Sequence, residues 1–302
     1  MLVLSSVLVG ALALFQGTQA AAIVPKAAFG CGRTHGFIGQ SKDFDIDSSG
    51  GNRSYRIHLP SGYTSSKPWP LLVAFHGRGE TPESIENYTQ FSNETVNPNM
   101  VVVYPAGEHE HWEGASYSTP GVSDKEFATD LVQHLQAQYC IDASRIYAMG
   151  RSNGGGFVDS LACSADHSGI FAAFAMDAAA LYNEGTNTTV CNPDERPVPV
   201  FETHSMDDHT IPYTGGKGDG GTVPPIPVWL DRWADRNRCT SNTTTMLPND
   251  VEDIQWTCGG VDGILRHVRV PGRRHKYPGE TNDDIFLSPV ILEWLSRFTK
   301  PQ

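Results

Sequence analysis

The residues of this chain best suited to covalent chemistry lie in a glycine-rich turn, Gly150-Arg151-Ser152-Asn153-Gly154. An apolar, β-prone run over residues 145–149 precedes this G-x-S-x-G pattern, and a helical pattern follows it. Glycines on both flanks permit a very tight turn, which would hold Ser152 at its apex with the hydroxyl exposed. A serine hydroxyl is a weak nucleophile at neutral pH, so it needs a base and an acid that orients the base. The turn therefore predicts nucleophilic catalysis if the chain supplies both partners.

The orienting acid is expected just beyond the strand predicted at residues 198–203. When a strand, a serine turn and a helix occur in this order, the acid and then the histidine follow the serine, each at the carboxyl end of a strand. Asp208 is the preferred acid, Asp207 is its close rival, and Asp177 is the third candidate.

The base is expected after the last predicted strand, residues 264–270. His275 follows that strand, in a segment with glycines on both sides that would let the loop fold back over the sheet. His204, His209 and His267 are the alternatives, and His267 lies within the strand pattern, which is more typical of a packed side chain.

Stabilising the tetrahedral intermediate requires backbone donors near the serine. The amide of Asn153, the residue after the nucleophile, is the first expected donor. The second should come from the loop after the strand at residues 71–75, where the amide of Arg78 is favoured and that of Gly77 is the alternative. His76 in the same loop is interpreted as structural.

The elements that must position these residues alternate between short apolar strands and helices. This alternation predicts one mostly parallel sheet covered on both faces, with an antiparallel hairpin at the amino-terminal end. Strands are predicted at residues 44–46, 55–59, 71–75, 100–104, 145–149, 171–175, 198–203 and 264–270, and helices at 81–91, 123–135, 225–237 and 285–298, besides the one after the serine turn.

Length and charge limit the classes of function. The 302 residues, of which 39% are hydrophobic, suffice for one large α/β domain with a sizeable core. The formal net charge is −12 and no cluster of Lys and Arg occurs. Nucleic acids and anionic membranes are therefore not expected as partners.

The amino-terminal segment indicates secretion. Residues 2–15 form an apolar run that is too short to span a bilayer and is followed by small residues, which is typical of a signal peptide. The predicted organisation is a signal peptide over residues 1–22 and a single catalytic domain over residues 23–302, with an extracellular location.

The cysteines and glycosylation sequons agree with secretion. An even number of cysteines in a secreted chain predicts disulfides, and no Cys-x-x-Cys or histidine cluster favours a metal site. Cys239 and Cys258 flank a polar segment and are the first pair expected to be joined. The six cysteines are Cys31, Cys140, Cys163, Cys191, Cys239 and Cys258, and the sequons are at Asn52, Asn87, Asn93, Asn187 and Asn242.

Four short segments give the chain a resemblance to a known family. The segments are Phe75-His76-Gly77-Arg78-Gly79, Gly150-Arg151-Ser152-Asn153-Gly154-Gly155, Asp208 with Ile211-Pro212-Tyr213, and His275 with Pro278-Gly279. With these segments the chain resembles secreted fungal feruloyl esterases of the type C/D kind, in carbohydrate esterase family one, which are related to polyhydroxybutyrate depolymerases and LpqC-like esterases. Two departures from the family pattern are the acidic Asp207 and the basic residues around His275.

The resemblance implies an α/β-hydrolase fold with Ser152, His275 and Asp208 as a catalytic triad. It also implies the release of ferulic or other hydroxycinnamic acids from plant cell-wall polysaccharide or oligosaccharide, with no cofactor and no obligate protein partner. The rival expectations are an acetylxylan esterase, a polyhydroxybutyrate depolymerase, or an inactive polysaccharide-binding homologue. An aromatic acyl group needs apolar walls, for which loop position suggests Trp112, Tyr117, Tyr213 and Trp229.

Overall fold

The computed structural model describes residues 30–48, 50–185, 191–193, 197–279 and 283–300. The predicted signal peptide and the sequon at Asn187 lie outside the described residues. Among the helices of the described ranges, none combines the length and the hydrophobicity that crossing a bilayer requires.

The secondary structure follows the predicted alternation over most of its length. The strands of the described residues are β1 (Gln40–Ser48), β2 (Gly51–Leu59), β3 (Trp69–Phe75), β4 (Val101–Pro105), β5 (Ile141–Arg151), β6 (Ala173–Asp177), β7 (Val200–Ser205), β8 (Gly216–Gly218), β9 (Gly221–Val223), β10 (Cys239–Met246), β11 (Glu252–Cys258) and β12 (Val261–Val270). The α-helices are α1 (Pro82–Thr89), α2 (Asp124–Gln138), α3 (Asn153–Ala162), α4 (Ala165–Ser168), α5 (Tyr182–Gly185), α6 (Ile226–Arg236) and α7 (Leu287–Ser296), and one 3₁₀ turn spans Pro248–Asp250.

Ten strands form one sheet in the order β1-β2-β4-β3-β5-β6-β7-β12-β11-β10. The six central strands, from β4 to β12, run parallel, whereas both ends of the sheet are antiparallel. All residues of β4 and β6 are buried. Because successive side chains of a strand point to opposite faces, this burial requires cover on both faces. The predicted parallel core and amino-terminal hairpin are confirmed.

The sheet is more mixed than the sequence predicts, because β10 and β11 extend it as an antiparallel pair. Every residue of β10 after Cys239 is exposed, and the strand is rich in threonine. It lacks the alternation of apolar and polar residues that identifies a strand, so the sequence predicts only a polar segment there. A disulfide between Cys239 and Cys258 joins the two strands where those residues pair in register.

The order of the strands places a candidate ligand-binding site at one edge of the sheet. From β3 the chain crosses to β4 on one side, and from β4 it returns to β5 on the other side of β3. Ligands bind in open α/β sheets where the strand order reverses in this way, outside the carboxyl ends of the strands. The carboxyl ends of β3 and β5 carry the His76 loop and Ser152.

Three disulfides join all six cysteines: Cys31–Cys140, Cys163–Cys191 and Cys239–Cys258. The third is the pair that the sequence favours. The four sequon asparagines within the described residues are all exposed, so glycosylation, which stays a prediction, meets no steric obstacle at them; they are Asn52, Asn87, Asn93 and Asn242.

Removing the bridge that closes the longest loop should destabilise the protein most. Cys31–Cys140 closes 109 residues and Cys239–Cys258 closes 19. Each bridge should contribute about 2–4 kcal/mol, and the loop-length term alone favours the longer one by about 1.5 kcal/mol. The Cys31→Ser/Cys140→Ser variant should therefore lose more free energy of unfolding in urea than Cys239→Ser/Cys258→Ser. The opposite order, or free thiols in denatured, unreduced protein, would contradict this.

Candidate active site

The turn after β5 holds Ser152 in a strained backbone conformation. Ser152 has φ 53° and ψ −118°, a region that residues with a side chain rarely adopt, and α3 begins at the next residue. The flanking glycines make this possible. A Cβ on Gly150 would lie 2.2 Å from the carbonyl oxygen of Gly154, and one on Gly154 would lie 2.3 Å from that of Phe75. The tight turn predicted from G-x-S-x-G is therefore present.

Ser152, His275 and Asp208 come together from three different strand ends. The Ser152 hydroxyl oxygen lies 2.9 Å from Nε2 of His275. On the other side of the ring, Nδ1 of His275 lies 2.7 Å from Oδ2 of Asp208. The residues follow β5, β12 and β7 respectively. This is the linear arrangement in which a histidine removes the proton of a serine while a carboxylate orients its ring.

The surroundings of Asp208 keep it ionised. Burial alone would raise its pKa, but hydrogen bonds from His204 and His275 outweigh burial and hold the pKa well below the usual range. Its Oδ1 also accepts hydrogen bonds from the amides of Thr210, at 2.8 Å, and Ile211, at 2.9 Å. A carboxylate can only accept at Oδ2, so Nδ1 of His275 carries a proton and Nε2 is free to accept one from Ser152.

The structure does not bring the alternative acids to His275. The side chain of Asp207 is 45% exposed and lies 3.1 Å from Nε2 of His209, which is also exposed. Asp177 is buried, and its Oδ2 lies 3.7 Å from Nε of Arg151. Burial raises the pKa of Asp177 to about 7.

Two backbone amides are available for an oxyanion near Ser152. Among the described residues the amide of Arg78 has no hydrogen-bond acceptor, whereas that of Gly77 donates to Oε2 of Glu80 at 2.9 Å. The Asn153 amide lies in the first turn of α3, where amides have no acceptor within the helix. The structure thus leaves Arg78, rather than Gly77, as the partner of Asn153.

His76 belongs to the scaffold of this loop. It is fully buried, its Nδ1 lies 2.7 Å from the carbonyl of Gly77, and its Nε2 accepts a hydrogen bond from the amide of Gly107 at 2.9 Å. Burial lowers its pKa, in keeping with a neutral ring that donates at one nitrogen and accepts at the other. The structural interpretation of His76 agrees with these contacts.

A buried tryptophan ties the same loop to the serine turn. The Asn153 side chain accepts from the amide of Trp112 at 2.7 Å and donates to its carbonyl at 3.2 Å. The indole nitrogen of Trp112 donates to the carbonyl of His76 at 2.9 Å, and the ring stacks on Phe157. These contacts fix the position of Asn153, whose amide lies in the first turn of α3.

Arg151 is a candidate positioning residue, to which the G-x-S-x-G motif assigns no role. Its guanidinium donates to the carbonyl of His275 at 2.7 Å and to Oε1 of Glu80 at 2.5 Å. Glu80 in turn holds the Gly77 amide and the hydroxyl of Tyr88. One buried side chain therefore connects the nucleophile turn, the histidine loop and the oxyanion loop. The variable position of G-x-S-x-G carries no signal that could have identified it.

A cleft of about 550 Å³ opens over Ser152. Tyr117 and Tyr182 form an aromatic wall, with their rings perpendicular and 6.4 Å apart. The guanidinium of Arg78 lies 4.2 Å from the centre of the Tyr117 ring and 3.4 Å from Asp219. The cleft therefore combines apolar surface with charged groups at its rim.

Of the four expected wall residues, only Tyr117 lines this cleft. Trp112 and Trp229 are fully buried, and Tyr213 is buried with its hydroxyl 3.2 Å from Nε2 of His267. The indole of Trp229 donates to Asp159 inside the protein. Loop position suggests these three residues, but their size and their internal hydrogen bonds place them in the core. Tyr182 is the wall residue that sequence reasoning missed.

The sheet and the site define the class of protein. A parallel core with a serine turn after β5 and an Asp and a His after later strands is the α/β-hydrolase fold. The acetyl xylan esterase from Aspergillus awamori has a similar fold, with a TM-score of 0.57 and 16% identity over 84% of this chain and 99% of that one. The chain belongs to the Esterase family, whose model matches residues 46–265.

Two fungal proteins are similar in sequence. Feruloyl esterase B of Piromyces equi is 27% identical over 218 residues, which is 69% of this chain and 40% of the relative. A bifunctional acetylxylan esterase/xylanase of Neocallimastix patriciarum is 26% identical over 254 residues, 81% of this chain and 34% of the relative. The chain thus spans less than half the length of either relative.

Replacing Asp208 by Asn should leave the fold intact but lower kcat for p-nitrophenyl acetate by up to about 10⁴-fold, because the amide favours the wrong tautomer of His275. Asp207→Asn is the matched control, since its side chain points to solvent, and it should cost less than about tenfold. If Asp207→Asn is the impaired variant, the assignment of the acid is wrong by one residue.

Arg151→Met should lower kcat about 100-fold, because it releases both the histidine loop and Glu80, and small displacements of reacting groups are costly. Arg274→Met is the control, since Arg274 is exposed and adjacent to His275 in the chain. Equal activity of the two variants in a steady-state esterase assay would refute the positioning role.

Proposed function

We propose that the chain is a serine esterase that releases ferulic and related hydroxycinnamic acids from plant cell-wall polysaccharide. The observation that carries the proposal is the hydrogen-bonded line from Ser152 through His275 to Asp208 beneath a cleft with aromatic walls. The likeness to a feruloyl esterase supports the choice of acyl group.

The reaction follows from the site. His275 takes the proton of Ser152 as the hydroxyl attacks the ester carbonyl, and Asp208 stabilises the imidazolium that forms. The amides of Arg78 and Asn153 donate to the oxyanion of the tetrahedral intermediate. His275 then protonates the departing sugar oxygen. Water, activated by the same histidine, hydrolyses the acyl-serine and releases the free acid.

The cleft suits an aromatic acid joined to a sugar. Its volume lies in the range typical of ligand pockets, and the two tyrosine rings offer edge and face contacts to a hydroxycinnamoyl ring. Arg78, Asp219 and Thr210 at the lining supply hydrogen-bonding groups for sugar hydroxyls.

Acetylxylan esterase activity is the second candidate. It is favoured by the likeness to an acetylxylan esterase/xylanase and by the fold shared with the Aspergillus awamori enzyme. An acetyl group needs no aromatic wall, so the two candidates differ in what Tyr117 and Tyr182 contribute.

A substrate panel with two variants tests the proposal. Wild-type protein should hydrolyse methyl ferulate with a higher kcat/KM than p-nitrophenyl acetate or polyhydroxybutyrate, and Ser152→Ala should retain less than about a hundredth of the activity on each ester. Tyr117→Ala should weaken turnover of methyl ferulate at least about tenfold more than that of the acetate. A preference for acetate that is insensitive to Tyr117→Ala would favour the acetylxylan esterase, and full activity of Ser152→Ala would refute a serine mechanism at this site.

A further inference from the structure

A second histidine lies against the carboxylate of Asp208. His204, on β7, is fully buried. Its Nε2 lies 3.5 Å from Oδ2 of Asp208, the same oxygen that binds His275. The Asp208 carboxylate is therefore shared between two imidazole rings, one facing the cleft and one inside the protein.

The hydrogen bonds of His204 determine its charge. Nδ1 lies 2.8 Å from Oε1 of Glu202, and Nε2 lies 2.8 Å from the carbonyl oxygen of Ile211. A carboxylate and a carbonyl can only accept, so both ring nitrogens must donate and the ring must be an imidazolium. The carboxylate of Glu202 outweighs the effect of burial and raises the pKa of His204 to about 10.

His204 is the positively charged group that faces two buried carboxylates, those of Glu202 and Asp208. Glu202 is fully buried, and besides His204 its Oε2 lies 2.7 Å from Nδ1 of His267. The nitrogen Nε2 of His267 lies 3.2 Å from the hydroxyl of Tyr213, which can donate or accept, so the contacts of His267 do not require it to be charged. Several titratable groups surround His204 on the packed elements. They are Asp177 at the end of β6, Glu202 on β7, Asp208 and Tyr213 in the segment after β7, His267 on β12, and His275 in the loop after β12.

We propose that His204 is a charged partner of the Ser152–His275–Asp208 group, which shares the Asp208 carboxylate with His275 and extends hydrolysis to lower pH. The inference rests on the proposed triad. His204 is a positioning residue here, since it reaches the reacting atoms only through Asp208.

The sign of the effect follows from electrostatics. Asp208 favours the imidazolium form of His275, and the positive charge of His204 on the same carboxylate offsets part of that attraction. Loss of the His204 charge should therefore strengthen the attraction between Asp208 and the protonated ring of His275, the form that cannot take the proton of Ser152. Hydrolysis needs the neutral ring, so His204 extends activity to lower pH.

His204→Gln removes the charge and keeps a side chain that can donate to Ile211. The acid limb of the profile of kcat/KM against pH should move up by about half a unit to one unit. The plateau kcat should stay within about tenfold of wild type, because Asp208 keeps its bonds to His275 and to two amides. A purely structural role would lower the plateau and the stability without moving the acid limb.

Two further variants make the test decisive. His267→Gln is the matched control. His267 is as buried as His204 and contacts the same Glu202, but it does not contact Asp208. The acid limb of this variant should therefore stay within about 0.2 pH units of wild type. Glu202→Gln/His204→Gln removes both charges of the pair and so avoids an uncompensated buried carboxylate. The double variant should move the acid limb in the same direction as His204→Gln but by less, because the lost negative charge of Glu202 is farther from His275 and offsets part of the effect. An acid limb that does not move in either His204 variant would overturn the proposal.

Wild-type protein offers a readout that does not depend on any variant folding. With ¹⁵N-labelled histidine, both ring nitrogens of His204 should stay protonated from about pH 5 to pH 8, whereas a free histidine titrates near pH 6.5. Loss of a proton from His204 below about pH 7 would overturn the proposal. The measurement does not depend on enzyme activity. Failure of this proposal can therefore be distinguished from failure of the proposed esterase function, which the Ser152→Ala variant tests.

Discussion

The active-site edge depends on a contact between backbones at the turn after β5. The first turn of α3 lies directly on the end of β3, so closely that a Cβ on Gly154 would meet the carbonyl of Phe75 at 2.3 Å. A Cβ on Gly154 would also meet the carbonyl of His76, at 2.5 Å, and Ser152 has its positive φ in the same turn. Any side chain at Gly154 would separate the two strand ends, and with them the Ser152 turn and the loop that holds Arg78.

Buried charge is the second constraint on the site. Removing an unpaired charge from water is costly, so each ionised group beneath the cleft has an opposite partner. Glu202 faces His204, Asp208 faces His204 and His275, and the Arg151 guanidinium bonds Glu80. These pairs also link the loops that carry the candidate triad. The same residues thus provide the electrostatic compensation and the geometry of the candidate site.

Local patterns in the sequence predict the fold and most of the candidate triad. Short apolar runs identify the parallel strands, and G-x-S-x-G with a His after the last strand points to Ser152 and His275. The acid is narrowed to Asp208, Asp207 or Asp177, and the preference for Asp208 comes from the family resemblance. The cleft wall was not predictable in this way, because Tyr182 lies beside Tyr117 only after the chain has folded. Arg151 and His204 act through contacts far apart in sequence, and β10 lacks the apolar alternation that marks a strand.

The most direct test of the account is the site at which a fluorophosphonate labels the folded protein, mapped by mass spectrometry of its peptides. Such a probe reacts with a serine only when a neighbouring base activates the hydroxyl. A single adduct on Ser152 is expected, formed in native protein and absent when the protein is denatured before labelling, with a rate that falls as the pH is lowered and the base becomes protonated. An unlabelled native protein, or an adduct on a different serine, would contradict the claim that Ser152, His275 and Asp208 form a working catalytic group.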